Sequence, residues 1–459
     1  MSNNNIQNSN YNWEAYVDNW SDGGHDDPTL PNGCKGNHAF AVPGADGSWD
    51  GDYLLYPTSD TKGLAIGGWN ASQGEWCGSA ADPIAPGSNP PGWWKPGQTN
   101  GFYFIMNTPD NDTVPYSVNA ANPKGVTGAQ ARATFIQNIA AAAKEYGYSS
   151  VIMDYENYGG FNWTGDSKLP VTNPPTPKSF SYPPDSSIYT GFLKDLGTAL
   201  GPNIPLEMPI SPSITNQKFW NLTDLVQNTN IIFQPMCFDY GMGNAPSDPT
   251  TPVPVDANAD VYDTMQYLEQ LVNAGMPLDR MMIGLPAYGL AYNTQPGMTP
   301  DQIESGLKAK TLTGTYWRDQ PIAQDGLGQM RNTDILNMIG NWETPNSPWT
   351  KIQSPGNPNM PVSVTNPLET YYYNSSTGLM IYGFPPETVQ NLAGAVKAFQ
   401  TEHSGQVKGF FEWEAVGDLS GSSSTIAEMM ADMDGPLSGN LSYEQNLKQW
   451  ANSHDLTHS

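Results

Sequence analysis

The sequence predicts an α/β fold: a (β/α)₈ barrel with a small α+β subdomain inserted after the seventh strand. Three observations carry this. Eight short apolar runs punctuate the 459 residues, helical segments lie between them, and one connection is too long to be a loop. The runs lie near Ala15–Val17, His38–Val42, Gly63–Gly67, Ser150–Tyr155, Pro205–Pro209, Ile231–Phe238, Met281–Pro286 and Gly409–Trp413. Most are near-continuously apolar, as parallel strands buried on both faces must be.

The first three runs precede a Pro/Gly-rich stretch, 70–125, with Trp93-Trp94 and Phe102-Tyr103-Phe104. It reads as loops at the top of the barrel, either a binding wall or aromatic packing within a loop. The clearest helix follows, from Thr127 to Tyr146. Thr127-Gly-Ala-Gln130 is a capping-box start, Phe135, Ile136, Ile139 and Ala143 make one apolar stripe, and Gly147 is a C-cap. The fourth run then ends Ile152-Met-Asp154-Tyr-Glu156. Successive strand side chains alternate, so Ile152, Asp154 and Glu156 share one face. Two carboxylates at the C-terminal end of a barrel strand are the usual equipment for cleaving a glycosidic bond.

After Tyr288, about a hundred residues separate the seventh run from the helix near Thr388, and they include Tyr371-Tyr372-Tyr373 and Leu379-Met-Ile-Tyr382. A structureless loop of that length is improbable. The expected division is therefore a barrel from 1–290 and 384–435, an α+β insertion from 291–383, and a C-terminal helix or tail from 436–459.

Composition excludes several functions. The 19 basic and 45 acidic residues leave a net charge of −26, the wrong sign for nucleic acid or an anionic membrane surface. Only 14% of residues are charged, while 14 Trp, 23 Tyr and 14 Phe are present. That balance suits an extracellular protein handling neutral polysaccharide. No run of about 18 apolar residues exists to span a membrane. The polar N-terminus is not a signal peptide, so an extracellular location requires another export route or a leader already removed. Of the three cysteines, Cys34 and Cys77 lie in loop-like sequence and could pair, whereas Cys237 reads as a small buried hydrophobe. No Cys/His spacing suggests zinc, and His454 and His458 sit in a polar chain end.

Nearly the whole chain resembles family 18 glycoside hydrolases, the chitinase family, in the branch with a chitinase insertion domain. Tyr16-Val-Asp-Asn-Trp20 resembles the first-strand motif, and Gly63-Leu-Ala65-Ile-Gly67-Gly68-Trp69 the third-strand Ser-x-Gly-Gly motif, with Ala65 at the Ser position. Residues 149–156 fall on the Asp-x-x-Asp-x-Asp-x-Glu signature, and Met236-Cys-Phe238-Asp239-Tyr240 on Met-x-Tyr-Asp. Gly284-Leu-Pro-Ala-Tyr288-Gly289 and Gly409-Phe-Phe-Glu-Trp413 resemble the seventh and eighth strands.

The resemblance implies a chitin or chito-oligosaccharide substrate, no cofactor, and a mechanism in which the substrate's acetamido oxygen is the nucleophile, an exception to the two-carboxylate rule. Glu156 would be the general acid/base, Asp154 would orient the acetamido group, and Asp239 would assist from the sixth strand. Trp413 would floor the sugar, with Tyr288, Phe238, Met236, Trp69 and Tyr16 completing the binding site. A like charge nearby would raise one pKa of the pair and help Glu156 stay protonated. Four departures stand out: Ser149 and Ile152 replace two signature acids, Phe238 replaces a Tyr, and Leu290 stands where an Arg often follows Tyr-Gly. With Ile152 beneath it, Asp154 is expected to remain turned toward Glu156. The losses leave room for a glycan-binding protein with little turnover. An endo-β-N-acetylglucosaminidase shares the core motif, although the insertion favours a deep cleft for linear polymers. The missing leader would also suit a subunit of a larger secreted or toxin assembly.

Overall fold

A computed structural model of the chain describes residues 11–18, 29–41, 43–44, 47, 61–68, 102–114, 125–156, 162–163, 180–181, 186–211, 220–240, 250–317, 328–340, 344–354, 369–383, 386–415, 418 and 424–434. Eight parallel strands form the barrel: β1 (Asn12–Asp18), β2 (Lys35–Ala41), β3 (Thr61–Gly67), β4 (Ser150–Asp154), β5 (Leu206–Ile210), β6 (Ile232–Pro235), β7 (Met282–Pro286) and β8 (Gly409–Trp413). Their hydrogen-bonded order is β7-β8-β1-β2-β3-β4-β5-β6, and a parallel bridge between Phe233 and Met281 joins β6 to β7. All eight apolar runs are strands of this barrel. The sixth ends earlier than its apolar run, at Pro235, because the chain turns tightly there: Cys237 N–H donates to Pro235 O and Phe238 N–H to Met236 O.

The helix Gly128–Tyr146 starts and stops as its caps dictate. Thr127 Oγ1 accepts from Gln130 N–H, Gln130 Oε1 accepts from Thr127 N–H, and Gly147 closes the end in the left-handed region at φ 74°. Phe135, Ile139 and Ala143 are fully buried. Phe102 is not part of a loop. It opens a short helix, Phe102–Asn107, and packs edge-on against Tyr155 and Phe135 at 5.2 and 6.2 Å. Its aromatic surface therefore serves the core, and Trp93 and Trp94 lie outside the described residues.

Between β7 and the helix Pro386–Glu402, the chain builds a second, antiparallel sheet. Tyr288–Asn293 pairs with Thr313–Tyr316, Gln329–Arg331 and Leu379–Gly383, and the last of these continues to Glu369–Asn374 and Trp349–Ser354. Tyr292, Tyr371 and Tyr382 join the same continuous core as the barrel strands. Tyr292 and Tyr382 hydroxyls donate to Asp256 O and Ala259 O, each at 3.1 Å, which ties the sheet to the segment after β6. Cys34 is a buried thiol, and Cys77, with its expected pairing to Cys34, lies outside the described residues.

The barrel floor is polar. Glu14, Asn37, Glu207 and Gln234 are buried there, around a partly exposed Lys35. Lys35 Nζ meets Glu14 Oε1 at 2.7 Å and Glu207 Oε1 at 2.9 Å, and donates to Ser150 Oγ at 2.7 Å. Gln234 Nε2 donates to Glu207 Oε2 at 2.7 Å and Glu14 Oε2 at 3.3 Å, while Asn37 Nδ2 donates to Glu14 Oε2 at 2.8 Å. Burial works against the Lys35 ammonium, but the two carboxylates outweigh it and raise its pKa. Burial, with the charge of Glu14 added, pushes Glu207 up to about 8. One cation is thus shared between two buried carboxyl groups. Lys35→Met leaves Glu14 and Glu207 buried together without their cation. We expect it to lower stability by about 3 kcal/mol in urea titration at pH 7, the low end for a broken buried pair because the Lys35 side chain is partly exposed. An unchanged midpoint would contradict this account of the floor.

Candidate active site

The C-terminal ends of the strands gather the acids that the sequence singles out. Asp154 closes β4 and is buried, and Glu156 follows two residues later, half-buried. Asp239 lies four residues past β6, in the left-handed region at φ 63°, where its N–H donates to Asn258 Oδ1 at 3.0 Å. A non-glycine residue rarely holds that conformation, and here the Asn258 contact supports it. The bend turns the Asp239 carboxylate to accept hydrogen bonds from the Tyr288 hydroxyl and the Gln329 side chain.

Burial is the first cause of every carboxylate shift in the site. It lifts Asp154 to about 7. It lifts Asp239 to about 6, against the lowering effect of its hydrogen bonds from Tyr288 and Gln329. Glu156 is raised well above the ordinary glutamate range by burial, then by the charges of Asp154 and Asp239. Like-charge repulsion thus acts in the expected direction but second to desolvation. Burial and charge therefore both favour the protonated form of Glu156, beside two aspartates that burial raises as well.

The surrounding aromatics are interlocked. Tyr16 is buried between the floor and the mouth. Its hydroxyl donates to Gln234 Oε1 at 2.8 Å, and its ring meets Trp413 edge-on at 5.3 Å. Half-buried Trp413 also stacks with Phe40 at 5.5 Å and 23°. Phe238 packs edge-on against Tyr288 and Phe411 at 6.2 and 6.1 Å, over Gly284, where an added Cβ would come within 2.8 Å of the Phe238 ring. Met236 is half-buried at the end of β6. Trp69 lies outside the described residues. Beneath Asp154 the interior is apolar: Ala65 and Ile152 are register partners, both fully buried, one strand repeat below the Gly67–Asp154 pair.

Two groups escaped sequence reasoning. The floor network left a trace, since Glu207 interrupts the apolar run Leu206-Glu-Met-Pro-Ile210. Gln329 left none. Among the described residues, no group of three or more His, Cys, Asp or Glu could hold a metal ion.

The sequence model of Glycosyl hydrolases family 18 matches residues 63–418. Solved structures share the fold at low identity. The class V chitinase from Nicotiana tobaccum is 16% identical, with a TM-score of 0.56 over 92% of this chain and 99% of that one. A mutant of catalytic domain 2 of the Ostrinia furnacalis Group II chitinase, solved in complex with (NAG)5, is 16% identical with a TM-score of 0.57 over 93% and 97%. YKL-39, solved in the presence of chitooligosaccharides, is 12% identical with a TM-score of 0.54 over 93% and 100%. No curated protein sequence matches the chain.

The raised carboxylates fix the sign of a pH effect. Asp239, Asp154 and Glu207 hold protons to about 6, 7 and 8 in the folded protein. The unfolded chain releases the same protons near pH 4. Between those limits the folded state binds more protons, so stability falls as pH rises. We expect the melting midpoint to drop from about pH 5 to about pH 8, with Asp154→Asn flattening the part near neutrality. A midpoint that rises across this window would refute the assignment.

Proposed function

The chain belongs to family 18 of the glycosyl hydrolases, and from that premise we propose that it hydrolyses β-1,4-linked N-acetylglucosamine polymers with retention of configuration. The observation that carries the proposal is the triangle of Asp154, Glu156 and Asp239, in which burial and the two aspartate charges keep Glu156 protonated. The neutral Glu156 carboxyl gives its proton to the glycosidic oxygen as the bond from that oxygen to C1 breaks. The acetamido carbonyl oxygen of the same sugar bonds to C1 from the opposite face, forming an oxazolinium ion. Water then attacks C1 while the Glu156 carboxylate takes its proton, and the ring opens with net retention. Asp154 accepts from the acetamido N–H and so aims its oxygen. Asp239, held by Tyr288, contacts the same group from across the mouth. Trp413 floors the sugar, its plane set by Tyr16 and Phe40.

The second sheet, which starts at Tyr288 and returns at Gly383, walls one side of the cleft, and such a wall suits a linear chain better than a branched N-glycan. The acidic, aromatic-rich composition fits work outside the cell on a neutral polymer.

One observation favours a second reading, a glycan-binding protein with little turnover. Ala65, Ile152 and Phe238 place apolar groups where the resemblance leads one to expect a hydroxyl or a carboxylate. Losing one donor to a developing oxyanion typically costs about 10²–10³ in rate.

A fluorogenic chitotrioside separates the two. The wild type should release fluorophore and Glu156→Gln should not, while oligosaccharide binding survives in both. Equal turnover would remove Glu156 from the mechanism, and micromolar binding without turnover in the wild type would favour the binding protein. Phe238→Tyr should raise kcat by up to about 10²-fold with little change in KM, because the added hydroxyl serves the transition state more than bound substrate. A folded Phe238→Tyr variant with unchanged kcat would mean that the acetamido group is held by other donors.

A further inference from the structure

Asp239 is held from two sides, and one of its partners comes from the inserted sheet. Tyr288 begins the strand that leaves β7, and its hydroxyl donates to Asp239 Oδ1. Gln329 arrives about forty residues later, at the start of the short strand Gln329–Arg331, and its side chain hydrogen-bonds the same carboxylate. The antiparallel register explains this reach. Leu290 faces Gln329 and Tyr288 faces Arg331, so all four side chains project from one face of the sheet, the face on which Tyr288 meets Asp239. Leu290 is fully buried and aliphatic, and can donate nothing. The neighbouring strand supplies the donor instead. Gln329 is half-buried.

We infer that Gln329 is a positioning residue for the acetamido side of the cleft: a neutral amide, carried in by the insertion, that fixes the Asp239 carboxylate in its working orientation. The inference rests on the reading of Asp239 as an acetamido contact. An amide gives direction without a full charge. It favours the ionised carboxylate less than a cation would, so Asp239 can change protonation state in the mildly acid range. Protonated, Asp239 donates to the acetamido oxygen; ionised, it only accepts. Among the described residues, the charged or titratable groups on the elements around Asp239 include Glu156, Tyr288 and Tyr316, Arg331 on the same sheet face as Gln329, and Glu414 beyond Tyr288.

The test needs no substrate at first. The Asp239 carboxyl is followed by carbon-13 NMR in aspartate-labelled protein, its resonance identified by its absence in Asp239→Asn. Gln329→Ala removes the donor and Gln329→Glu replaces it with an isosteric negative charge. We expect the Asp239 midpoint to rise by about half a pH unit in the first and by about one unit or more in the second. With chitotetraose, kcat should fall about tenfold in both, with KM within about twofold, because the lost orientation matters at the transition state. Gln329→Asn, one methylene shorter, should recover part of the rate and serves if the alanine variant folds poorly. An Asp239 midpoint unmoved in folded Gln329→Ala and Gln329→Glu overturns the inference. So does a moved midpoint with unchanged kcat, which would leave Gln329 as a structural contact only. A wild type that neither cleaves nor binds chitotetraose would defeat the substrate reading alone, since the titration still decides whether Gln329 controls Asp239.

Discussion

Acids gathered along the axis of a closed barrel must be neutralised, because burial penalises each charge by far more than a surface carboxylate ever meets. This constraint organises the molecule from floor to mouth. At the floor the answer is a cation: Lys35 reaches inward from β2 and meets both Glu14 and Glu207. At the mouth the answer is protons, and Asp154, Glu156 and Asp239 are all held above their ordinary values chiefly by burial. The first solution makes a stable base. The second leaves proton-bearing groups where a glycosidic oxygen would need one.

Tyr16 joins the two layers. Its hydroxyl is fixed by Gln234, which is itself fixed by Glu14 and Glu207, and its ring supports Trp413. The floor therefore sets the plane of the aromatic side chain at the mouth. The apolar pair Ala65 and Ile152 fits the same logic. A second carboxylate at 152 would add another buried charge beneath Asp154, and with Ala65 as its neighbour it would find no hydroxyl there. The two apolar residues suit one another, and they leave Asp154 to interact with Glu156.

The insertion is part of this electrostatic arrangement. Tyr292 and Tyr382 bind the backbone of the segment that also contains Asn258, and Asn258 supports the strained backbone of Asp239. Asn332, at the head of a helix in the insertion, donates to Asp418 at 3.0 Å beyond β8. The sheet thus meets the barrel near both its sixth and eighth strands, and its tyrosines share the barrel's core. A site residue on such a scaffold is placed more accurately than one on a loop.

The sequence by itself determined the barrel, the order of its strands and the helix Gly128–Tyr146. Parallel strands buried on both faces must be apolar almost throughout, and the helix carries its own capping chemistry at each end. It also singled out Asp154 and Glu156 as paired acids at the end of one apolar run, although the strand itself stops at Asp154. Tertiary structure decided what local rules do not encode. The apolar run of β6 continues to Phe238, yet the ladder stops at Pro235, because the Cys237 and Phe238 N–H groups turn back to Pro235 and Met236 rather than to a neighbouring strand. Phe102 reads as loop sequence and becomes core, because its neighbours Phe135 and Tyr155 come from distant elements. Cys34 is a buried thiol. Gln329 carries no signal along the chain, for its meaning arises only when the second sheet folds back and sets it opposite Leu290, within reach of an acid ninety residues earlier.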